Sequence, residues 1–475
     1  MRILTGSLLT AAAALIFCGH PALGADNFRL NSAGAADIGA LSGRFAAALP
    51  PGDVKAAAAV EPPGPPAPAK KWTVMVFMNA KNNLSESMLW GLTGKFSAQD
   101  ISEMKKVGSS PSVNVLVEHG VKGGGSTRML IEKKTGYFST GEKVYGVYPD
   151  ADMGDYRRVI EFVNWSKRQF PAERYMLILW NHGLGWIDPV MKPQAEKGIL
   201  FDDETKNYVR TAQLGDILRQ SGYEDIFMTN ACLMQMAEVG YEIKDNAGLI
   251  VGSEETMLAQ GYDYEKLLKF MNANPSFTPE QFADFMMNWY REFYAGGMPV
   301  GPITVPLDSI PSTLSAVRPG ALNDLPAYMD RFALAVMGNS ETEAIKKAIV
   351  EAVRFSSLDP AKDKKKMIAP YVDLADLADV TARYAVSQET RDAAAGLIDF
   401  VRGKLVMRSI GLNKDAENGY DYSRAGGVSV YMTMKAKPRP PQLDAVFETK
   451  YGDLSFSKAS KWDEFVDWSD KVWLN

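Results

Sequence analysis

The stretch Asp225-Ile-Phe-Met-Thr-Asn-Ala-Cys-Leu-Met-Gln-Met236 decides the fold, because it joins a buried strand to a helix through a short turn. Residues 225–230 predict a strand that is covered on both faces, and residues 234–244 predict a helix. Cys232 lies between the two elements. A strand that leads into a helix is the repeating unit of parallel sheets, so the segment predicts one unit of an α/β domain.

The same alternation of strands and helices runs from Trp72 to Ser253. Further strands are predicted at 72–79, 112–117, 127–132, 175–180 and 248–253, and helices at 85–106, 155–168 and 211–220. This order predicts right-handed crossovers and a mostly parallel β-sheet flanked by helices. In open sheets of this kind, binding sites lie at the carboxyl ends of the strands.

From about Glu265 the pattern becomes more helical. Helices are predicted at 279–294, 310–337 and 341–356, and a strand at 427–432. We therefore expect an α/β domain with a helix-rich C-terminal extension. The predicted organisation is a signal peptide (1–24), an Ala/Pro-rich linker or pro-segment (25–71), a catalytic α/β domain (72–264) and a bracing C-terminal α+β region (265–475).

The N-terminal residues have the pattern of a cleavable signal peptide. Arg2 precedes an apolar run from Leu8 to Phe17, and a small-residue site ends at Gly24. The run is shorter than the roughly 20 apolar residues of a membrane-spanning helix. A lipid-modified Cys18 is the alternative, and the bulky residue before it disfavours that interpretation. We expect an exported protein, secreted or held in the periplasm or cell envelope, with no membrane-spanning segment in the mature chain.

The charge balance narrows the choice of partner. The chain has 52 Lys and Arg against 57 Asp and Glu, and this mildly acidic composition gives no electrostatic basis for binding nucleic acid. The sequence does not predict an oligomeric state.

Cysteine and histidine are scarce. Without the signal peptide, the chain keeps only Cys232, His119 and His182. A single cysteine cannot form an internal disulfide, and in an exported protein it suggests a reactive thiol or an intermolecular bond. His182 and Cys232 both follow predicted strands. An imidazole or a helix N-terminus next to a thiol favours the nucleophilic thiolate, and Cys232 precedes a predicted helix.

These residues predict a nucleophilic pair with its own oxyanion donors. The backbone amides of Gly183 and Cys232 are suited to stabilise the negative oxygen of an acyl-transfer intermediate. Each residue also has a simpler explanation, since a single buried cysteine is usually a small hydrophobe and a strand-end histidine is often structural. His119 also ends a strand and is the alternative base. One cysteine and two histidines without close spacing do not make a zinc site, so no metal ligand is predicted.

Four segments resemble the clostripain family of cysteine peptidases, relatives of gingipains and caspases. They are Tyr175-Met-Leu-Ile-Leu-Trp-Asn-His-Gly-Leu-Gly-Trp186, Asn230-Ala-Cys-Leu-Met-Gln-Met-Ala-Glu-Val239, the opening Trp72–Met78 with Asn82-Asn83-Leu84, and Gly252-Ser-Glu-Glu-Thr256. The resemblance implies a caspase-like sheet and a dyad of His182 and Cys232. It implies an exported endopeptidase that cleaves peptide or protein substrates. The alternative is a catalytically silent relative that binds peptides or surface partners in the same cleft.

The predicted specificity pocket departs from the family. Members commonly cleave after Arg or Lys and often carry aspartate two residues before the cysteine, where this chain has Asn230. Gln260 occupies a second position where an acid is expected. Glu254 is the candidate to compensate, together with Glu255 and Asp263. The resemblance therefore implies cleavage after Arg or Lys, and the altered pocket weakens that expectation.

Two further expectations come from the resemblance alone. No cofactor is required, but Ca²⁺ is a candidate ligand, with Asp202 and Asp203 as its candidate site. The loop from Met191 to Gly198 is a candidate for activating self-cleavage, at the Lys197–Gly198 bond.

Overall fold

The structure is a computed structural model that describes residues 67–85, 95–188, 198–300, 303–355, 369–415, 419–434 and 448–475. The predicted signal peptide and most of the linker lie outside these residues. The proposed cleavage loop does so as well, except for Gly198.

A nine-stranded sheet forms the centre of the described chain, and its five middle strands are parallel. In chain order these are β1 (Lys70–Ala80), β2 (Val113–Val121), β5 (Ala172–Trp180), β6 (Ile226–Asn230) and β7 (Ile250–Gly252). Antiparallel strands continue the sheet at both edges: β3 (Gly125–Ile131) and β4 (Glu142–Tyr148) beyond β2, and β10 (Ser312–Val317) and β13 (Val406–Leu412) beyond β7. The predicted sheet, mostly parallel at its centre, is confirmed.

Five short strands lie outside this sheet. They form a hairpin of β8 (Met298–Val300) with β9 (Ile303–Val305), and a small antiparallel sheet of β11 (Arg354–Phe355), β12 (Tyr371–Asp373) and β14 (Ser429–Tyr431).

Twelve α-helices are present in the described residues, most of them in the second half. In chain order they are α1 (Phe96–Val107), α2 (Tyr156–Gln169), α3 (Thr211–Ser221), α4 (Ala237–Ile243), α5 (Tyr264–Ala273), α6 (Pro279–Gly296), α7 (Leu325–Gly338), α8 (Thr342–Glu351), α9 (Leu374–Tyr384), α10 (Gln388–Asp399), α11 (Ser455–Ala459) and α12 (Trp462–Leu474). Within the described residues, none of the helices combines the length and apolarity needed to cross a membrane.

Local sequence explains the elements that carry the core. The side chains of β1 from Val74 to Met78 are at most 1% exposed, which agrees with a strand covered on both faces. In α2, Val159, Phe162 and Val163 are buried on one side at helical spacing, and the Asp155 side chain accepts a hydrogen bond from the Arg157 amide at the helix start. These elements place the core on both faces of the central sheet.

The second half differs from the prediction at one important point. Residues 310–337 were expected to be helical, but β10 occupies Ser312–Val317 and pairs with β7 and β13, and only Leu325–Gly338 is α-helical. All six residues of β10 are buried, and a short run buried on both faces has no periodicity that separates strand from helix. The C-terminal region therefore contributes two strands to the same sheet as the first domain.

The predicted helix from Ser85 to Lys106 also differs. Asn83–Ser85 form a single 3-10 turn, and the described α-helix begins at Phe96 after Lys95. Residues 86–94 between them lie outside the described part.

Candidate active site

The two strands that precede His182 and Cys232 are neighbours in register. Trp180 of β5 pairs with Asn230 of β6, so each candidate residue lies two positions beyond a paired residue. The Asn181 amide donates to the Asn230 carbonyl at 3.2 Å and continues this contact past the strand ends. The topology thus brings the two candidates to one place at the carboxyl edge of the sheet.

Gly183 is in direct contact with the cysteine segment. A β-carbon at position 183 would lie 2.3 Å from the Cys232 carbonyl oxygen and 3.0 Å from the Met234 side chain. Real β-carbons do not approach a backbone oxygen this closely, so only glycine allows the two turns to pack together. The His-Gly and Ala-Cys turns are therefore in contact at the carboxyl edge of the sheet.

Cys232 lies on a strained turn. Leu233, the next residue, has a φ of 63°, a left-handed conformation that costs a non-glycine residue about 1–2 kcal/mol. Hydrogen bonds from Leu233 N to Glu255 O (3.2 Å) and from Gln235 N to Ser253 O (3.0 Å) hold the turn against the segment after β7. The cysteine backbone is therefore fixed from both sides.

The sulfur has a hydrogen-bond donor that differs from the expected one. The Met257 amide donates to Cys232 Sγ at 3.2 Å. The predicted support was the dipole of a helix from Met234, but α4 begins only at Ala237 and is seven residues long. Because helix-dipole effects fade beyond the first turn, the amide of Met257 is the group placed to favour a thiolate.

His182 is buried and contacts the loop after β1. Its Nε2 atom lies 2.7 Å from Asn83 Oδ1, and its backbone amide donates to Asn181 Oδ1 at 2.6 Å. Asn83 belongs to the Asn-Asn-Leu segment, for which no chemical role was predicted.

His119, the alternative base, lies elsewhere. Across the sheet, Asn230 pairs with Trp180, Trp180 with Met78, and Met78 with His119. His119 is therefore three strand spacings, or about 14 Å, from Asn230. Its Nε2 lies 3.0 Å from Ser97 Oγ, and burial and then nearby Lys105 lower its pKa to about 4. The sheet therefore brings His182, and not His119, to the cysteine turn.

The candidate pocket residue Asn230 packs against Gly261, which directly follows the second candidate, Gln260, in the chain. The Asn230 side chain lies against Gly261 and donates to the Tyr264 hydroxyl at 3.3 Å. Gln260 Oε1 is buried and accepts no hydrogen bond from the described residues. The role of Asn230 and Gln260 in substrate binding stays a prediction.

Two acidic side chains, which were not predicted from the sequence, lie near Tyr264. Asp100 accepts a hydrogen bond from Trp180 Nε1 at 2.7 Å, and Glu103 accepts one from the Tyr264 amide at 3.1 Å. Burial, followed by the neighbouring Glu103, raises the pKa of Asp100, and burial, followed by Asp263, raises the pKa of Glu103 to about 7. Burial therefore shifts both of these carboxyls toward their protonated forms.

Glu254 faces away from solvent. It is fully buried beside Asp373, at the end of β12 in the C-terminal region, and the Tyr422 hydroxyl donates a hydrogen bond to Glu255 Oε2 at 2.6 Å. Glu254 and Glu255 are both enclosed by the C-terminal region and are not exposed surface charges. Asp263 caps α5 by accepting from the Lys266 amide. Because Glu254 is enclosed, the structure does not support a role for it in binding substrate.

The buried Glu254–Asp373 pair predicts that stability falls as the pH rises from 5 to 8. Burial and then the nearby Asp373 raise the pKa of Glu254, and burial raises the pKa of Asp373 to about 6. The fold favours the protonated carboxyls. Their contribution to the free energy of unfolding is therefore complete below about pH 4, and it is lost as the pH rises through the raised pKa values. We expect a loss of about 1–3 kcal/mol in the free energy of unfolding, measured by urea titration at each pH.

Glu254→Gln removes the ionisable carboxyl beside Asp373 and should flatten this pH dependence. The exposed Glu343→Gln is the matched control and should leave it unchanged. Equal slopes in wild type and Glu254→Gln would contradict the prediction.

The candidate calcium residues are already engaged. Lys81 Nζ lies 3.3 Å from Asp202 Oδ2, and the carboxylate also accepts from the amides of Met153, Glu204 and Thr205. Asp203 lies 3.4 Å from Lys122. In the described ranges, no group of three or more His, Cys, Asp or Glu side chains is arranged to hold a metal. An ammonium beside the carboxylate does not fit a Ca²⁺ ligand, and calcium dependence stays a prediction.

Comparisons with known proteins agree with this architecture. The sequence pattern of the clostripain family matches residues 76–468. Clostripain of Hathewaya histolytica is 22% identical over 85% of this chain and 88% of that protein.

Two solved structures share the fold. One is a secreted C11 cysteine protease from Bacteroides thetaiotaomicron in complex with an irreversible peptide inhibitor. It has a TM-score of 0.60 and 18% identity, and the match covers 83% of this chain and 99% of that one. The other is an inactive zymogen C11 protease from Parabacteroides distasonis, with a TM-score of 0.58, 18% identity, and coverage of 82% and 98%.

The family match extends from β1 into α12 and includes both strand-end turns, on a sheet shared with solved members. The chain belongs to the clostripain family and is a cysteine-type peptidase.

Proposed function

We propose that the chain is an exported endopeptidase in which Cys232 is the nucleophile and His182 the general acid and base. The contact that carries this proposal is the packing of Gly183 against the Cys232 carbonyl, because it holds the histidine and cysteine turns together. The amide of Met257 at 3.2 Å from the sulfur adds support, since a donor to sulfur favours the thiolate. Export is proposed from the pattern of residues 1–24.

The reaction follows from these positions. The Cys232 thiolate attacks the scissile carbonyl, a C–S bond forms, and the carbonyl oxygen becomes negative between the amides of Gly183 and Cys232. His182 transfers a proton to the amine as the C–N bond breaks, which leaves an acyl-enzyme. The histidine then takes a proton from water, the resulting hydroxide attacks the thioester, and the C–S bond breaks to restore the thiolate.

The side chain before the cut is proposed to be recognised around Asn230 and Gln260. Asn230 donates to Tyr264, which leaves its oxygen for a substrate donor, and Gln260 Oε1 is a second acceptor. Amide oxygens bind a guanidinium or ammonium without a charge. Arg and Lys are therefore accepted with a weak preference over neutral side chains.

Asn230→Asp is expected to raise the preference for Arg and Lys at least about tenfold. A charge-assisted hydrogen bond contributes about 1.5–3 kcal/mol, and 1.4 kcal/mol corresponds to a factor of ten. The measurement is the ratio of kcat/KM for two peptides that differ only in Arg or norleucine before the cut. The exposed Asn288→Asp is the matched control. An unchanged ratio would place the pocket elsewhere.

The function itself is tested by digestion of a diverse peptide library with the purified chain, with and without calcium. Cleavage that disappears in both Cys232→Ala and His182→Ala supports the proposal, and the products give the preferred side chain. Absence of cleavage, together with labelling of Cys232 by iodoacetamide no faster than free cysteine, would support a silent peptide-binding relative instead.

A further inference from the structure

We infer that Asn83 is the positioning residue of His182: its side-chain carbonyl holds the imidazole with the hydrogen on Nε2 and leaves Nδ1 as the basic nitrogen. This inference rests on the proposed function, because it concerns the same histidine. Asn83 Oδ1 lies 2.7 Å from His182 Nε2. An amide oxygen only accepts hydrogen bonds, so the neutral ring must carry its hydrogen on Nε2.

The loop that presents Asn83 is held by its neighbour in sequence. Asn82 accepts from the Leu84 amide at 2.9 Å through Oδ1 and donates to the Phe201 carbonyl at 3.3 Å through Nδ2. Its backbone carbonyl accepts from the Ser85 hydroxyl at 2.9 Å. These three bonds fix the 3-10 turn in which Asn83 is the first residue.

A buried lysine anchors the start of the same loop. Lys81 Nζ donates to the Ala151 carbonyl at 2.7 Å and pairs with Glu204 at 2.7 Å and Asp202 at 3.3 Å. Its side chain is 3% exposed. An ammonium with three partners in a buried site has one stable position, so the loop presents Asn83 from a rigid base.

The hydrogen bond from His182 to Asn83 serves the reaction in two states of the ring, the neutral imidazole and the imidazolium. A fixed Nε2–H tautomer turns the lone pair of Nδ1 away from Asn83, so that it is available to the proton exchanged with the thiol and the leaving amine. When the ring becomes positively charged, Nε2–H donates to Asn83 as a charge-assisted bond, which stabilises the imidazolium. A hydrogen bond to a charged group contributes about 1.5–3 kcal/mol, or roughly ten- to a hundredfold in rate.

Kinetics of two variants test the role. Asn83→Ala should lower kcat ten- to a hundredfold, with KM within twofold and the melting temperature within a few degrees. Asn83→Asp should recover most of kcat, because a carboxylate accepts the same bond. Its charge also favours the imidazolium, so the basic limb of the pH profile should move to higher pH. The exposed Asn288→Ala is the control and should match wild type.

Nitrogen NMR gives a readout that needs no substrate. The chain has three histidines, and the His119→Gln variant together with the removable His20 leaves the His182 signals easy to assign. Neutral His182 should show a protonated Nε2 in wild type and a mixture of tautomers in Asn83→Ala. A protonated Nδ1 in wild type would mean that the Asn83 amide donates instead, and it would overturn the inference.

The kinetic outcomes are equally decisive. Asn83→Ala with kcat within threefold of wild type and an unshifted pH profile would overturn the inference, as would equal losses in Asn83→Ala and Asn83→Asp with a large fall in melting temperature. In either case, loss of cleavage in Cys232→Ala would leave the proposed function standing.

Discussion

Replacing Cys232 with alanine is expected to lower kcat by at least about 10⁴-fold, because nucleophile and base act as one unit and the residual rate comes only from binding and the oxyanion donors. No other cysteine lies outside residues 1–24 that could take over. The side chain is small and buried, so the melting temperature should change little. Single-turnover cleavage of a peptide with a fluorescent leaving group measures the loss.

The test is extended with His182→Ala and with the variant that combines Cys232→Ala and His182→Ala. Members of one catalytic unit are strongly non-additive, so the double variant should be about as slow as the slower single variant. His119→Ala should retain activity, because His119 lies about 14 Å from the cysteine strand. Losses that multiply in the double variant, or a dead His119→Ala enzyme of normal stability, would contradict the predicted pair.

Gly183→Ala is expected to lower kcat about 10²- to 10³-fold, the usual cost of losing one oxyanion donor. The new β-carbon would lie 2.3 Å from the Cys232 carbonyl oxygen, and backbone atoms cannot yield as a flexible side chain does. The turn that carries both proposed donors must therefore shift. The measurement is kcat on the same peptide, with circular dichroism to confirm the fold.

Gly396→Ala is the matched control for this variant. Gly396 lies in α10, where an added β-carbon meets no atom within 4 Å, and alanine is the better helix former. Its activity should equal that of wild type. Full activity in Gly183→Ala would mean that the oxyanion is held by other groups.

The sequence was sufficient for the central sheet because those strands have strong local signals. The apolar runs of β1, β5 and β6 are buried on both faces, and residues 155–168 have the periodicity of a surface helix, realised as Tyr156–Gln169. The short strands β10 and β13 were not predicted, because their identity depends on pairing with each other and with β7. Pairing partners that are far apart in sequence leave no local pattern.

The residues of the candidate site were also predictable only in part. Scarcity of cysteine and histidine, together with strand-end position, selected His182 and Cys232, and the register then brought the ends of their strands together. The signal for Asn83 was present, since it also follows a strand, but nothing in the sequence joins it to His182, which is 99 residues away. Met257 supports the sulfur through its backbone amide, a group that every residue except proline carries.

By itself, the sequence determined the α/β alternation, and it selected the edge of the sheet and the two side chains for which a catalytic role is proposed. These follow from local hydrophobic periodicity and from which residue types are present. Only the tertiary structure decided which groups surround them: the turn contact at Gly183, the amide of Met257, the Asn83 carbonyl and the enclosure of Glu254. Such neighbours are set by strand register and by packing between distant segments, and neither is encoded in any single stretch of chain.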